Sequence, residues 1–311
     1  MDDCNRTTCK GCKRNSEEDM NILTFDVEEW YMEKILRGGR EFKYHQFDEF
    51  FGRLMDELDR LGLKATFFCV GQLAVEFPEV VKKIVSKGHE IGCHSNIHSF
   101  LNKMDEETLF NDTSDALKAL EDIYGQKVVS YRAPAFSITE KNKWAIKVLA
   151  ECGIENDASI FPAKRDFGGY PSFPQDTPCT IVYQGASLKE FPVCVTSFLN
   201  RKIAYSGGGY FRLTPYSMVS DIFKKREYNI CYFHLSDLLQ IKVKMMSRAA
   251  YEDYFKEPGT IKNRVVRWAK SNLGRGDTYN KLVRLLSENQ FVNIKEANSL
   301  IDWDKVNTIS L

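Results

Sequence analysis

Two histidines stand four residues apart in His94-Ser95-Asn96-Ile97-His98, directly after the apolar run Glu90-Ile91-Gly92-Cys93. On one turn of helix two imidazoles at this spacing can meet at a single metal ion. The chain has five histidines, and another of them, His234, closes the apolar run Ile230-Cys231-Tyr232-Phe233. A third feature is the apolar run Asn21-Ile22-Leu23-Thr24-Phe25, which leads straight into Asp26-Val27-Glu28-Glu29. Carboxylates crowded at a strand exit repel one another unless a cation or a proton relieves them. In Val128-Val129-Ser130-Tyr131-Arg132-Ala133-Pro134-Ala135 an apolar run ends on a cation, and Pro134 fixes an extended exit. Arg132 in that place could clamp a carboxylate in a bidentate pair. Asp157 ends the run Gly153-Ile154-Glu155-Asn156. Polar groups of catalytic type therefore close five separate predicted strands, and in a barrel of parallel strands those ends converge on one face.

The elements between them support that arrangement. Phe47, Phe50, Phe51, Leu54, Leu58 and Leu61 form a helical stripe that stops at Gly62, before the strand 65–70. Pro78 opens a helix that Gly88 closes, a long helix ends near Tyr124-Gly125, and Thr139 caps a helix running to Cys152-Gly153. Helices alternating with strands predict an α/β fold with parallel strands. From Phe161 to Gly209 the rhythm gives way to Pro, Gly and aromatic residues around a short strand at Leu188–Phe191, as expected of binding loops. Within it, Gly207-Gly208-Gly209 would let backbone approach a sugar while Tyr210 and Arg212 stack and hydrogen-bond. Pro215 starts a helix to about Arg226, and two terminal helices, 262–273 and 278–289, precede a short strand near Phe291.

These residues resemble carbohydrate esterase family 4, the polysaccharide deacetylases that share a nodulation-protein-B homology domain. The likeness runs from Asn21 to Leu238. Thr24-Phe25-Asp26 resembles the first motif of the family, His94-Ser95-Asn96-Ile97-His98 its H-[S/T]-x-x-H metal motif, Arg132-Ala133-Pro134-Ala135 its third, and Phe233-His234 its closing Leu-His. The departure is Val27, where the family usually has a second aspartate; the acid returns at Glu28, as in an Asp-Val-Glu branch associated with surface-polysaccharide and exopolysaccharide clusters. The resemblance implies a distorted (β/α) barrel of about seven parallel strands. It also implies removal of an N-acetyl group from an amino sugar of a polysaccharide or its precursor, with one divalent metal held by His94, His98 and a carboxylate. Zinc suits that set by ligand type, and cobalt, nickel, iron or manganese could take it. Asp26 would be the base and Glu28 the metal carboxylate, or the reverse. Arg132 would hold the base, a backbone N–H near Ala135 would bind the oxyanion, His234 would protonate the leaving amine, and Asp157 would tune or orient His234. The rival readings are a metal-dependent amidase on a small non-sugar substrate and a barrel that binds carbohydrate without turning it over.

With 311 residues and 43% hydrophobic content the chain can bury a full core. Residues 21–311 are expected to form a single domain behind a polar leader, residues 1–20. The 43 basic and 43 acidic residues cancel, so no net field favours nucleic acid. The nine cysteines are an odd number; Cys69, Cys93, Cys152 and Cys231 sit in predicted elements as small hydrophobes, and Cys4, Cys9 and Cys12 cluster in the leader. That usage, a leader without an apolar core and the lack of a membrane-length apolar stretch lead us to expect a cytoplasmic protein.

Overall fold

The run that leads into the first acids is buried from Asn21 to Val27 and forms β1 (Met20–Val27). The computed structural model to which it belongs describes residues 19–36, 44–198, 201–239, 244–274 and 276–311. The leader with Cys4, Cys9 and Cys12 lies outside the described residues. In chain order the other strands are β2 (Thr66–Cys69), β3 (Glu90–Cys93), β4 (Ser130–Tyr131), β5 (Asn156–Asp157), β6 (Cys179–Tyr183), β7 (Ala186–Glu190), β8 (Val195–Phe198), β9 (Arg201–Ala204), β10 (Tyr228–His234) and β11 (Thr308–Ser310). The main sheet runs β10-β1-β2-β3-β4-β5-β7-β6-β11. Its first seven strands are mutually parallel, as the spacing of apolar runs and helices predicts.

Register sets the site. Asp26 pairs with His234, Val27 with Cys69, Cys69 with Cys93, Cys93 with Tyr131 and Tyr131 with Asp157. The strands thus end level, and the residues just beyond them, Glu28, His94 and Arg132, emerge at one rim. No strand ladder closes β7 onto β10 among the described residues. The segment after β7 spans that side instead: the Phe191 and Val193 N–H groups donate to the Asp157 and Ile160 carbonyls, and the Tyr232 N–H on β10 donates to Ser206. The barrel is distorted at this seam.

Helices cover the outside. Phe50, Phe51, Leu54 and Leu58 of helix Tyr44–Arg60 are buried against the sheet, the stripe that the sequence shows. Helix Glu106–Tyr124 begins where the Asp105 carboxylate accepts the Thr108 N–H, and ends on Gly125 at φ 70°, a left-handed conformation that glycine adopts without strain.

Several expectations need correction. Thr139 does not cap a helix: its hydroxyl donates to Asn142 in a local turn, and the helix is Ala145–Glu151. The stretch from Phe161 to Gly209 is not wholly irregular, because β6–β7 and β8–β9 are antiparallel pairs within it. Gly208–Leu213 is a short helix, so the glycines do not form a sugar-cradling loop. A side chain on Gly207 would strike the Tyr232 carbonyl, which is why β10 can approach there. Near Phe291 there is only a bridge between Ile22 and Val292. Cys69, Cys93 and Cys231 are buried free thiols, and Cys152 is half-buried. No described helix is long and apolar enough to cross a membrane.

Candidate metal and acid-base site

The pair His94 and His98 does not lie on a helix. Ser95 and His98 have φ of 65° and 57°, so the chain makes a left-handed turn at each and doubles back. Three contacts hold that shape. The Gly71 and Gln72 N–H groups, at the start of helix Gly71–Glu76, donate to the Ser95 and Asn96 carbonyls, and the buried Asp112 carboxylate accepts the Asn96 N–H at 2.9 Å. Convergence comes from this pinned loop: the His94 and His98 ring centroids are 5.1 Å apart.

The third member of the cluster is Glu28. Its Oε2 lies 2.6 Å from His98 Nε2 and 3.4 Å from His94 Nε2. Glu28, His94 and His98 are the group of donor side chains among the described residues arranged as a metal site would need, with ligand atoms within 4.8 Å of one another. Each imidazole is oriented through its other nitrogen. His94 Nδ1 donates to the Arg132 carbonyl at 2.7 Å, which leaves the Nε2 lone pair facing Glu28. His98 Nδ1 lies 2.9 Å from the Tyr254 hydroxyl, whose oxygen can accept its proton. The donor set of two imidazoles and one carboxylate, with outward nitrogens free of other partners, fits one divalent cation. The His98, His234 and His94 imidazoles overcome the effect of burial and hold the Glu28 carboxyl well below the usual range.

Asp26 is engaged differently. Its Oδ1 accepts from Arg132 Nη1 at 2.9 Å, and the same nitrogen donates to Thr24 Oγ1 at 2.7 Å. Arg132 is fully buried, stacks on Phe68 with its guanidinium carbon 4.3 Å from the ring centroid, and gives its Nε–H to the Ala158 carbonyl. The expected bidentate clamp is instead a contact through one nitrogen: Nη1 serves both Asp26 and Thr24, Nε–H goes to a carbonyl, and Nη2 is buried without a hydrogen-bond partner among the described residues. Burial pushes the Asp26 carboxyl up, but Arg132 and the imidazoles of His94 and His234 bring it below its ordinary value. Its second oxygen, Oδ2, faces His234 Nε2 at 3.7 Å, and Glu28 Oε1 lies 3.8 Å from the same nitrogen.

His234 is oriented by Asp237, not by Asp157. Asp237 Oδ2 lies 3.0 Å from His234 Nδ1 and accepts the His234 backbone N–H as well. Against the effect of burial, Glu28, Asp237 and Asp26 hold the imidazole well above its usual value. Asp157 is on the far side of Arg132: it accepts from Ser159 at 2.5 Å, and Ser159 in turn accepts the Ala133 N–H. Burial raises both Asp157 and its cross-strand partner Glu190. Arg212 also departs from expectation. Its guanidinium is buried in an ion pair with Asp237 and so steadies the His234 partner. Tyr210 is half-buried and packs on the small cluster of Phe136, Phe161 and Tyr232 beside the site.

Ala135 and Phe136 both have φ of 55°, an uncommon conformation for residues with side chains. The turn is held by the Gly169 N–H donating to the Phe136 carbonyl, and Gly168 leaves no room for a Cβ against the Ala135 and Phe136 carbonyls. Among the described residues the Ala135 N–H has no hydrogen-bond partner.

Asp237, Tyr254 and Ser159 are not singled out by the sequence, and Thr24 enters there only as part of the first motif. Asp237 had a signal: an acid three residues after a strand-end histidine is placed to cap the turn that follows. Tyr254 had none, being 156 residues from His98.

Parts of the chain are similar to known proteins. Residues 13–156 match the polysaccharide deacetylase family, and residues 158–299 match DUF3473, a domain of unknown function. A peptidoglycan-N-acetylglucosamine deacetylase of Bacillus cereus is 36% identical over 98 residues, which are 31% of this chain and 36% of that protein. One of Listeria monocytogenes is 31% identical over 88 residues, 28% of this chain and 19% of the relative. The chain thus spans about a third or less of the length of these curated relatives. A crystal structure described as a polysaccharide deacetylase from Mycobacterium smegmatis shares the fold, with a TM-score of 0.64 at 18% identity over 96% of this chain and 94% of that one.

Proposed function

We propose that the protein, whose residues 13–156 match the polysaccharide deacetylase family, hydrolyses the N-acetyl group of an amino sugar in a polysaccharide or its precursor. The observation that carries this reading is the convergence of one triad and two pairs at one rim: His94 and His98 on Glu28, Asp26 on Arg132, and His234 on Asp237. The names of the relatives, N-acetylglucosamine deacetylases, point to the same substrate class.

Glu28, His94 and His98 would hold one divalent cation, which supplies Lewis acidity toward the acetyl carbonyl and toward water. Zinc suits this donor set best. The Asp26 carboxylate, with one oxygen held by Arg132 and the other facing His234 at 3.7 Å, takes the proton of the attacking water. The N–H of Ala135 would bind the developing oxyanion, in a turn held by Gly168 and Gly169. The charged His234, steadied by Asp237 and Arg212, gives a proton to the departing nitrogen as the C–N bond breaks, leaving acetate and a free amine. The division between Asp26 and Glu28 follows from their partners. An arginine-held acid is poorly placed to bind a cation as well, whereas the Glu28 carboxylate oxygens face the imidazoles of His94, His98 and His234 and no arginine.

Acetate release from N-acetylglucosamine oligosaccharides by the zinc-loaded protein tests the reading. Release that stops on chelation and returns with metal supports it. Acetate from O-acetyl esters or non-sugar amides alone, with none from the oligosaccharides, would overturn it.

A further inference from the structure

A groove of about 1070 Å³ lies beside the candidate site, and none of the metal or acid-base residues lines it. Its walls hold Lys164, Arg165, Lys202, Lys262, Arg267 and Lys270, against two carboxylates, Asp166 and Glu257. In a chain whose basic and acidic residues are equal in number, six cations facing two acids is a local excess of positive charge. The excess is larger in effect than the count, since Asp166 is already shared: Lys270 lies 2.7 Å and Arg267 3.5 Å from it. Lys164, Lys202 and Lys262 are exposed and form no ion pair among the described residues. A concave surface with one sign of charge concentrates ligands of the other.

The cations come from three places in the chain: the loop after β5, strand β9 and helix Ile261–Asn272, which carries no acidic residue. All belong to the stretch that matches DUF3473. Aromatic packing fixes two of them. Arg267 lies 4.6 Å from the ring centres of both Phe167 and Phe255, and Arg165 lies 4.6 Å from Phe161 and 5.2 Å from Phe136. The rings fix both guanidinium planes at the groove wall, Arg267 also through its contact with Asp166, so their charge is held in place before a ligand arrives. The groove is joined to the metal cluster through the same rings. Phe167 stacks on Phe255 at 4.8 Å and meets Phe100 at 5.6 Å; Phe100 follows His98 by two residues, and Tyr254, which orients His98, precedes Phe255. A sugar chain with one residue at the rim would therefore run its neighbours over Tyr210 and along the cations.

We propose that this groove is a subsite for an anionic glycan, a chain bearing carboxylates or phosphodiesters on the sugars next to the N-acetylated one. The proposal rests on the deacetylase reading for its context, yet the binding it predicts does not require turnover.

The test uses the full-length, metal-loaded protein and calorimetry with acetyl-free probes of equal length: an oligoglucuronate, a glycerol-phosphate oligomer and a neutral glucosamine-free β-glucan. One or both anionic probes should bind more tightly than the neutral one, and the affinity should fall as salt rises. Whichever anion binds identifies the source of charge. Replacing Lys164 and Lys262 together by alanine should weaken anionic binding by about tenfold, while replacing both by arginine should preserve it. Equal binding of all probes, or an unchanged affinity in the alanine variant, would overturn the proposal. So would binding to phosphatidylglycerol vesicles with none to the soluble anions, which would make the surface a membrane contact. Anionic binding without acetate release would count against the deacetylase reading alone, and acetate release without anionic preference against the groove alone.

Discussion

At the scale of single residues, the two acids of Asp26-Val27-Glu28 are separated by what surrounds them. Asp26→Asn should retain metal, since His94, His98 and Glu28 remain, but should lower turnover by about a hundredfold or more because it removes the proton acceptor. Glu28→Gln should weaken metal binding instead. Metal content by elemental analysis, set beside acetate release, separates the outcomes, and the opposite pattern would mean that the acids exchange roles. His94→Ala and His98→Ala should each lower bound metal while far-ultraviolet dichroism stays unchanged, because the cluster sits at the rim of a large core. Metal content equal to wild type in both variants would remove the site. His234→Ala should lower turnover with metal retained, and Asp237→Asn should follow it in the same direction to a smaller degree, as expected of a residue that positions another.

At the scale of elements, the site depends on turns that only specific backbones can make. The Ala135–Phe136 turn presents the free N–H of Ala135 and leans on Gly168, where an added Cβ would lie 2.3 Å from the Phe136 carbonyl. Backbone cannot yield as a side-chain tip can. Gly168→Ala should therefore shift the turn, lowering kcat more than it raises KM, with metal content unchanged. An alanine variant with normal kcat would show that the turn has no part in the reaction. The loop that brings His94 to His98 is fixed in a comparable way by helix Gly71–Glu76 and Asp112, at a distance from the histidines along the chain.

At the scale of the whole molecule, the sheet carries a buried acid pair behind the site. Asp157 and Glu190 are paired across β5 and β7, and Asp157 Oδ2 and Glu190 Oε2 have no other hydrogen-bond partner, an arrangement satisfied by a proton between them. Burial raises both carboxyls. A group whose folded value is raised contributes stability that is complete below its unfolded value and lost as pH rises through the folded one. The melting temperature should therefore fall from mildly acidic toward alkaline pH, and Glu190→Gln, which keeps a donor without a charge to remove, should flatten that fall. Parallel curves for the two proteins would exclude the shared proton. The continuity of the sheet across residue 157 also ties the two family matches together, since β10 from the second pairs with β1 from the first.

The sequence alone was enough for parallel strands alternating with helices, for the polar residues at their ends and for the family they resemble, which implies the number of about seven, because apolar periodicity and strand-end chemistry are local and survive in one dimension. Glu28, His94, His98, Asp26, Arg132 and His234 were all readable in that way. Partnership was not. Asp157 ends its strand as a catalytic acid would, yet register turns it toward Ser159 and Glu190, and Asp237 takes its expected place beside His234. Arg212 follows a glycine run suited to a sugar loop, but the run folds into a helix that aims the guanidinium at Asp237. Tyr254 and the six groove cations come from separate segments of the second half of the chain, which only the fold brings together. Which side chains meet across distant segments is decided by strand register, by left-handed turns at Ser95, His98 and Ala135, and by close backbone approach at Gly168 and Gly207. Those are properties of the packed chain, where steric exclusion between segments far apart in sequence selects one arrangement among many that the residue pattern allows.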